Sequence, residues 1–188
     1  HRILKGDFPF RDYYSITGPI LDIWQGNIYK LFGISWQSLL LHASLMNCLY
    51  SLSIFIFLKK LKFTNLNCFF YSLSAGLLMY PTSGNPTVEH NSLILSSLAT
   101  LIFLIALIEN KKNYIYISIF IFFVSFFTKQ VPTGYFVIFC IFIYMSKVFS
   151  NYNWKILFYF LVYSIILLII FLVYFYFNIF LFQDIFDQ

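Results

Sequence analysis

GDFPFRDYYSITGPILDIWQGNIYKLFG, residues 6–33, is the only long segment of the chain that is neither strongly apolar nor a short connector. It carries Asp7, Arg11, Asp12, Asp22 and Lys30 and stands directly before a succession of apolar runs. Charged groups beside a membrane domain need a reason to be there, and substrate headgroups and catalysis are the commonest. The stretch reads in two parts. From Gly6 to Thr17, the turn formers Gly6, Asp7 and Pro9 lead into an Arg-Asp pair and two tyrosines. Pro9 pushes Phe8 toward extended geometry, so no helix is predicted there. Gly18-Pro19 then suits an N-cap followed by proline at the first helical position. Ile20, Trp24, Ile28 and Leu31 fall on one helical face, Asp22, Gln25, Gly26 and Lys30 on the other, and Gly33 is placed to end the helix. A helix this short and charged does not span a bilayer. It is predicted to lie in the interface with Trp24 among the headgroups. The same pattern also fits an ordinary amphipathic helix packed on the apolar domain without any chemistry.

Outside this stretch the composition is that of a membrane protein. Hydrophobic residues make up 61% of the chain and charged residues 10%, against about 25% charged in a soluble domain. Mean hydropathy is +0.81. The net charge of +5 does not point to nucleic acid, because the lysines sit in short connectors between apolar runs. Cys48, Cys68 and Cys140 are isolated inside apolar segments, with no CxxC pair and no His/Cys ligand spacing. Neither a metal nor a disulfide is implied, and no cofactor is expected. The chain opens at His1 without a signal peptide, which reads as part of a longer protein.

Six spans are predicted after the opening stretch: Trp36 to Leu58, Leu66 to Tyr80, Ser92 to Ile108, Tyr114 to Phe127, Val131 to Met145 and Ile156 to Phe182. The connector Pro81 to Asn91 is polar, and Thr128-Lys129-Gln130 with Pro132 separates the fourth span from the fifth. The connectors at 59–62, 109–113 and 147–155 hold Lys59, Lys60, Lys62, Lys111, Lys112, Lys147 and Lys155, which makes them cytoplasmic by the positive-inside rule. The opening stretch, the 81–91 connector, Lys129-Gln130 and the C-terminal tail then share the outer side. That side collects Asp7, Asp12, Asp22, Glu89, Asp184 and Asp187 and all five prolines. Arg2, Lys5, Arg11 and Lys30 run against the bias there and read either as phosphate ligands or as ordinary interface residues.

Within the first span, Ser44, Asn47 and Ser51 share a face at i, i+3, i+4 spacing, which predicts interhelical hydrogen bonds. His42 reads as a satisfied packing histidine rather than a functional one. No GxGxxG, Walker loop or HExxH is present, and no Ser-His-Asp order stands out.

The opening stretch, with Ser35 at the entry to a long span, resembles the first external loop of the GT-C glycosyltransferases. The likeness is to family 39-type enzymes, kin to dolichyl-phosphate-mannose protein mannosyltransferases and lipid A aminoarabinose transferases. Gly6, Pro9, Phe10, Arg11, Asp12, Tyr13, Gly18, Pro19, Phe32 and Gly33 occupy the places of that loop's pattern, with Phe10 and Ile20 as mild departures. Lys129-Gln130 after a short span is similar to the family as well. The resemblance implies an all-α polytopic membrane protein. Residues 1–35 would form an external loop with an interfacial helix. Residues 36–182 would form a transmembrane helical domain within a larger module, and 183–188 would begin a further loop.

The implied chemistry is transfer of a sugar from a polyprenyl-phosphate donor to a glycan, lipid or protein acceptor, at the outer face of a bacterial inner membrane. An attacking hydroxyl loses its proton to a carboxylate, and the leaving lipid phosphate is stabilised by Arg or Lys. In such enzymes the base commonly lies upstream of this loop, which here would be before His1. Within that chemistry Arg11 and Lys129 are the candidate donor-phosphate ligands and Asp12, beside Arg11, the catalytic candidate. The clustering of polar connectors on the outer side predicts that Glu89, His90 and Gln130 line the same pocket, with solvated loop residues as the alternative reading. Membrane lipid is the other expected partner. Two enzyme readings compete, the transferase and an O-antigen polymerase or ligase. A third reading, a transporter, predicts inverted repeats and broken helices, and neither is visible in the sequence.

Overall fold

A computed structural model describes residues 3–7, 9, 12–13, 18–81, 84–151, 158, 161–166, 168–170, 172–173 and 176. Among them the structure is all helical: a 3-10 turn at Ile3–Lys5, then α1 (Pro19–Phe32), α2 (Trp36–Lys60), α3 (Asn65–Met79), α4 (Val88–Glu109), α5 (Lys112–Phe126) and α6 (Gln130–Asn151).

The helix ends follow local chemistry. Pro19 opens α1 after an extended Gly18, and Gly33 closes it at φ 78°. Ser35 caps α2, its hydroxyl accepting from the Ser38 amide at 3.1 Å, while Ser38 Oγ donates back to the Gly33 carbonyl at 2.7 Å. Thr64 and Thr87 cap α3 and α4 in the same way. Two boundaries differ from the sequence reading. The connector predicted over 81–91 ends early, because the Thr87 cap starts α4 at Val88 and takes Glu89, His90 and Asn91 into its first turn. Pro132 does not separate helices. It sits in the first turn of α6, where a missing amide hydrogen costs nothing.

The polar face assigned to α1 also differs. Gly26, placed on the polar face, is buried: a Cβ there would lie 2.7 Å from Ile3 Cγ2, so the 3-10 turn rests on the glycine. On the apolar face Trp24 and Leu31 are exposed, which agrees with a face turned to the headgroup layer, while Ile28 is buried against the protein. The helix is held between the 3-10 turn and α2, and a single apolar stripe does not describe that environment.

α4 is the central element, packed against α2, α5 and α6, and α3 packs on α2. The polarity is inverted relative to a soluble bundle. Among the described residues as many polar as apolar side chains are buried, including Ser92, Ser96, Ser118, Ser125, Thr128 and Thr133. Meanwhile Leu77, Leu78, Ile138 and Phe142 stand at 69%, 88%, 65% and 75% exposure. Water would penalise such a surface heavily; hydrocarbon would not. Small residues let the helices close up: a Cβ on Gly76 of α3 would stand 3.1 Å from Ser51 Cβ of α2, and Ser51 Oγ donates to the Ser72 carbonyl at 2.7 Å.

Among the described residues two helices, α2 and α4, are long and apolar enough to cross a membrane. At 15 residues each, α3 and α5 reach about 22 Å. The predicted sixth span lies mostly outside the described residues, as do Asp184 and Asp187. Tyr163, described within that run, packs on Tyr116 of α5 at 5.1 Å between ring centroids.

The bundle has two chemically distinct ends. At one, Lys60 Nζ pairs with Glu109 at 2.5 Å and Lys111 Nζ with the same carboxylate at 3.0 Å. The Glu109 oxygen beside it holds the Lys111 amine above its usual range. The 59–62 and 109–113 connectors therefore share an end, as their lysines predict. The opposite end gathers the start of α1, the start of α4 and the α5–α6 turn.

Candidate functional site

At that opposite end the α5–α6 turn is fixed from three sides. Four fully buried hydroxyls, those of Ser92 and Ser96 on α4, Ser125 on α5 and Thr133 on α6, lie in mutual contact. Their protons can all be placed. Ser92 and Thr133 donate to the Lys129 carbonyl at 2.9 and 3.0 Å, and Ser125 donates to the Ser92 carbonyl at 2.9 Å. Ser96 is left to donate to Ser125 Oγ or Thr133 Oγ1. No hydroxyl in the cluster is wasted, which is the condition for a buried polar network to stabilise rather than cost. The opening loop closes on the same turn: the Gly18 amide donates to the Thr128 carbonyl at 3.2 Å.

The Lys129 backbone is thus immobilised while its side chain extends to pair with the Glu89 carboxylate. The two residues are 29% and 60% exposed, so the pair sits at the surface of the bundle. The first turns of α1, α4 and α6 meet here, and helix N-termini carry partial positive charge. Lys129 is the cation of this corner, and Glu89 and the first-turn Asp22 of α1 are its acids.

A second polar contact joins α1, α2 and α4. His42 is buried, with Nδ1 against the Gln25 amide and Nε2 3.0 Å from Asn91 Oδ1. Asn91 Nδ2 donates to the Thr87 carbonyl at 2.9 Å, which fixes its oxygen toward the histidine. Trp24 stacks over the ring at 6.3 Å. His42 is therefore the satisfied packing histidine that its position predicts.

The predicted site residues divide. Glu89 and Lys129 are together. Gln130 is exposed at the start of α6. His90 is buried, and Nε2 donates to the Met79 carbonyl at 2.9 Å, joining the end of α3 to α4. Asp12 is exposed on the opening loop, next to Tyr13, whose hydroxyl donates to Asp22 of α1 at 2.9 Å. Arg11 lies outside the described residues. Among the described residues no group of three or more His, Cys, Asp or Glu is placed to hold a metal.

The sequence reading passed over the hydroxyl cluster, Gln25 and Asn91. A signal was available for the cluster: Ser92 and Ser96 repeat at i, i+4 inside an apolar run, so both face the same neighbour. Nothing local identified Asn91 as the partner of His42, since they are 49 positions apart.

What these features define, among the described residues, is an all-helical protein with hydroxyls buried between its helices, an apolar exterior and one end where the starts of α1 and α4 meet the α5–α6 turn. No family model, no curated protein and no solved structure matches the chain.

Proposed function

We propose that the chain is the membrane-embedded part of a multi-pass glycosyltransferase that moves a sugar from a polyprenyl-phosphate donor to an acceptor hydroxyl at the outer face of a bacterial inner membrane. The observation that carries the reading is Lys129. Its backbone is sealed by Ser92 and Thr133, its neighbour Thr128 is held by Gly18 of the opening loop, and its ammonium remains at the surface. A fixed cation among helix N-termini suits a phosphate. The apolar exterior suits the lipid that would carry it. The loop pattern around Arg11 and Asp12 supplies the resemblance to sugar transfer.

In this reading the acceptor oxygen attacks the anomeric carbon, the bond from that carbon to the donor phosphate oxygen breaks, and a carboxylate takes the acceptor proton. Lys129 and Arg11 hold the departing phosphate. Asp12 orients Arg11 or takes part in proton removal beside an upstream acid. Glu89 must release Lys129 before the phosphate arrives.

The test uses the full-length protein in vesicles with a radiolabelled polyprenyl-phosphate sugar. Lys129→Ala is expected to weaken donor use and Asp12→Asn to cut turnover, each by about 10²–10³, as loss of one charge-stabilising group does in comparable sites. Near-normal turnover per folded molecule in both variants would remove both residues from the site.

A further inference from the structure

The end of the bundle that carries the Lys60–Glu109 contact is rich in ammonium groups. Lys59, Lys60 and Lys62 close α2, Lys111 and Lys112 open α5, and Glu109 is the one acid in these two connectors. Its carboxylate bridges Lys60 and Lys111 and so joins the connectors into one surface. Lys59 Nζ donates to Asn65 Oδ1 at 2.7 Å, over the start of α3. Lys62 and Lys112 are exposed and pair with no acid among the described residues.

Lys62 is also held at a cost. Its φ is 66°, in the left-handed region. It stands just past the end of α2, where the amides of Lys62 and Phe63 donate back to the Lys59 and Leu58 carbonyls at 3.0 and 3.2 Å. Glycine or asparagine ordinarily fills such a position, and the chain uses Asn110 in the left-handed conformation at the end of α4. A lysine there gives up backbone stability without gaining an acid partner, so its ammonium serves something outside the chain.

The surroundings say what that is. Leu61, Phe63 and Leu66 around Lys62, and Ile108 beside Glu109, are exposed. A soluble polyanion needs no apolar rim, whereas a lipid with an anionic headgroup matches both the rim and the charge. Depth agrees. α3 and α5 start at this end, and their length of about 22 Å falls short of the roughly 30 Å of a hydrocarbon core. Helices that short draw their ends toward the headgroups, within reach of a lysine side chain.

We infer that this end binds the phosphate headgroups of anionic phospholipids in the cytoplasmic leaflet, Lys62 and Lys112 gripping them while Glu109 ties the two connectors together. The inference rests on α2 and α4 crossing a bilayer, and not on the reaction proposed above.

Native mass spectrometry of the full-length protein, released from vesicles into detergent, counts the individual lipids it keeps. Phosphatidylglycerol is expected to bind more tightly than phosphatidylcholine. Lys62→Gln and Lys112→Gln are each expected to lower that preference about fivefold, the worth of one basic residue at an anionic surface. Lys62→Arg and Lys112→Arg should keep it. Lys62→Gly separates binding from folding. It relieves the backbone, so thermal unfolding without added lipid is expected to move up while the lipid preference falls. Equal retention of the two lipids, or a preference indifferent to both glutamine variants, overturns the inference. So does displacement of phosphatidylglycerol by inorganic pyrophosphate at constant ionic strength, which assigns the surface to a soluble anion. Alkaline extraction of the same vesicles reports insertion separately, and a chain released by alkali overturns the membrane reading along with the binding.

Discussion

Gly18 and Thr128, 110 positions apart, are joined amide to carbonyl at 3.2 Å, and this contact seats the opening loop on the helical bundle. The approach is so close that a Cβ at position 18 would fall 1.5 Å from the Phe127 carbonyl oxygen. Backbone cannot yield as a flexible side chain does. Gly18→Ala is therefore expected to push the loop off the turn, with a loss of about 1–3 kcal/mol, as for other overpacked sites. Gly33→Ala is the control. Its Cβ meets nothing within 4 Å, but φ 78° with ψ 165° is a backbone region almost confined to glycine, so only that strain, about 1–3 kcal/mol, applies. Thermal unfolding in detergent measures both. Limited proteolysis separates them further, because only Gly18→Ala should open the segment before α1 to cleavage.

The hydroxyl cluster makes a second demand. Thr133→Val keeps the shape of the side chain and removes one donor to the Lys129 carbonyl, leaving Ser92 as the remaining hydroxyl on that oxygen. Ser125→Ala removes the donor to the Ser92 carbonyl and an acceptor for Ser96. Each is expected to cost about 0.5–1.5 kcal/mol. Because the residues share partners, the double variant should cost measurably less or more than the sum of the singles. Strict additivity in denaturant titrations would mean that the four hydroxyls do not act as a unit.

Much of this architecture was legible in the chain, and the reasons are local. Gly18-Pro19 and Gly33 marked both ends of α1, since capping depends on neighbours in sequence. The lysines at 59–62 and 109–113 were assigned to one side, and the Lys60–Glu109 pair places those connectors at one end of the bundle. The start of α4 was misplaced because Val88-Glu89-His90-Asn91 is polar by composition, while the Thr87 cap decides the backbone. The polar face of α1 was misread at Gly26, which has no hydropathy to reveal that Ile3 covers it. The partners of His42 lay beyond reach, since hydrogen bonds across 17 and 49 positions leave no periodicity to read, whereas the shared outer side had already placed Glu89 with Lys129.

His42 offers a prediction about protons. Asn91 commits its Nδ2 to the Thr87 carbonyl, so its oxygen must accept from His42 Nε2. A neutral ring then has an accepting Nδ1, and the neighbouring Gln25 amide can satisfy it only by presenting its nitrogen. That orientation also ends the isolation of Gln25 Nε2, which otherwise has no partner. Nitrogen NMR of the labelled protein is expected to show His42 protonated at Nε2 and bare at Nδ1. The opposite tautomer would mean that Asn91 is turned over, with its nitrogen no longer on the Thr87 carbonyl.

Topology follows from the two ends of the bundle. The 81–91 connector docks on α2 near Leu40, toward the loop-bearing end, where a Cβ on Gly84 would meet Leu40 Cδ2 at 2.6 Å. Lys60 lies at the far end of the same helix. A cysteine introduced at Asn85, in a variant without the native cysteines, should react with an impermeant reagent added outside intact cells. One introduced at Lys60 should react only after permeabilisation. The reverse pattern would invert the orientation, and labelling of both from outside would mean that α2 does not cross.

The Glu89–Lys129 pair is the contact that an anion bound at Lys129 would have to open. An ion pair at this exposure adds little to folding, about 0–1 kcal/mol, so its conspicuous geometry need not serve stability. A phosphate binding Lys129 competes with the Glu89 carboxylate for one ammonium. Removing the carboxylate should therefore free the cation rather than weaken the site. Glu89→Gln keeps the size and the α4 cap but drops the charge, and it is expected to tighten binding of a polyprenyl-phosphate sugar several-fold, with the gain shrinking as salt rises. Lys129→Ala should weaken binding in either background, and the double variant should behave like Lys129→Ala alone. Weaker binding in Glu89→Gln would assign the carboxylate to the ligand itself, as an acceptor for sugar hydroxyls or as a base. Equal binding in all four proteins would place the phosphate elsewhere and leave the pair as a tie between α4 and the α5–α6 turn.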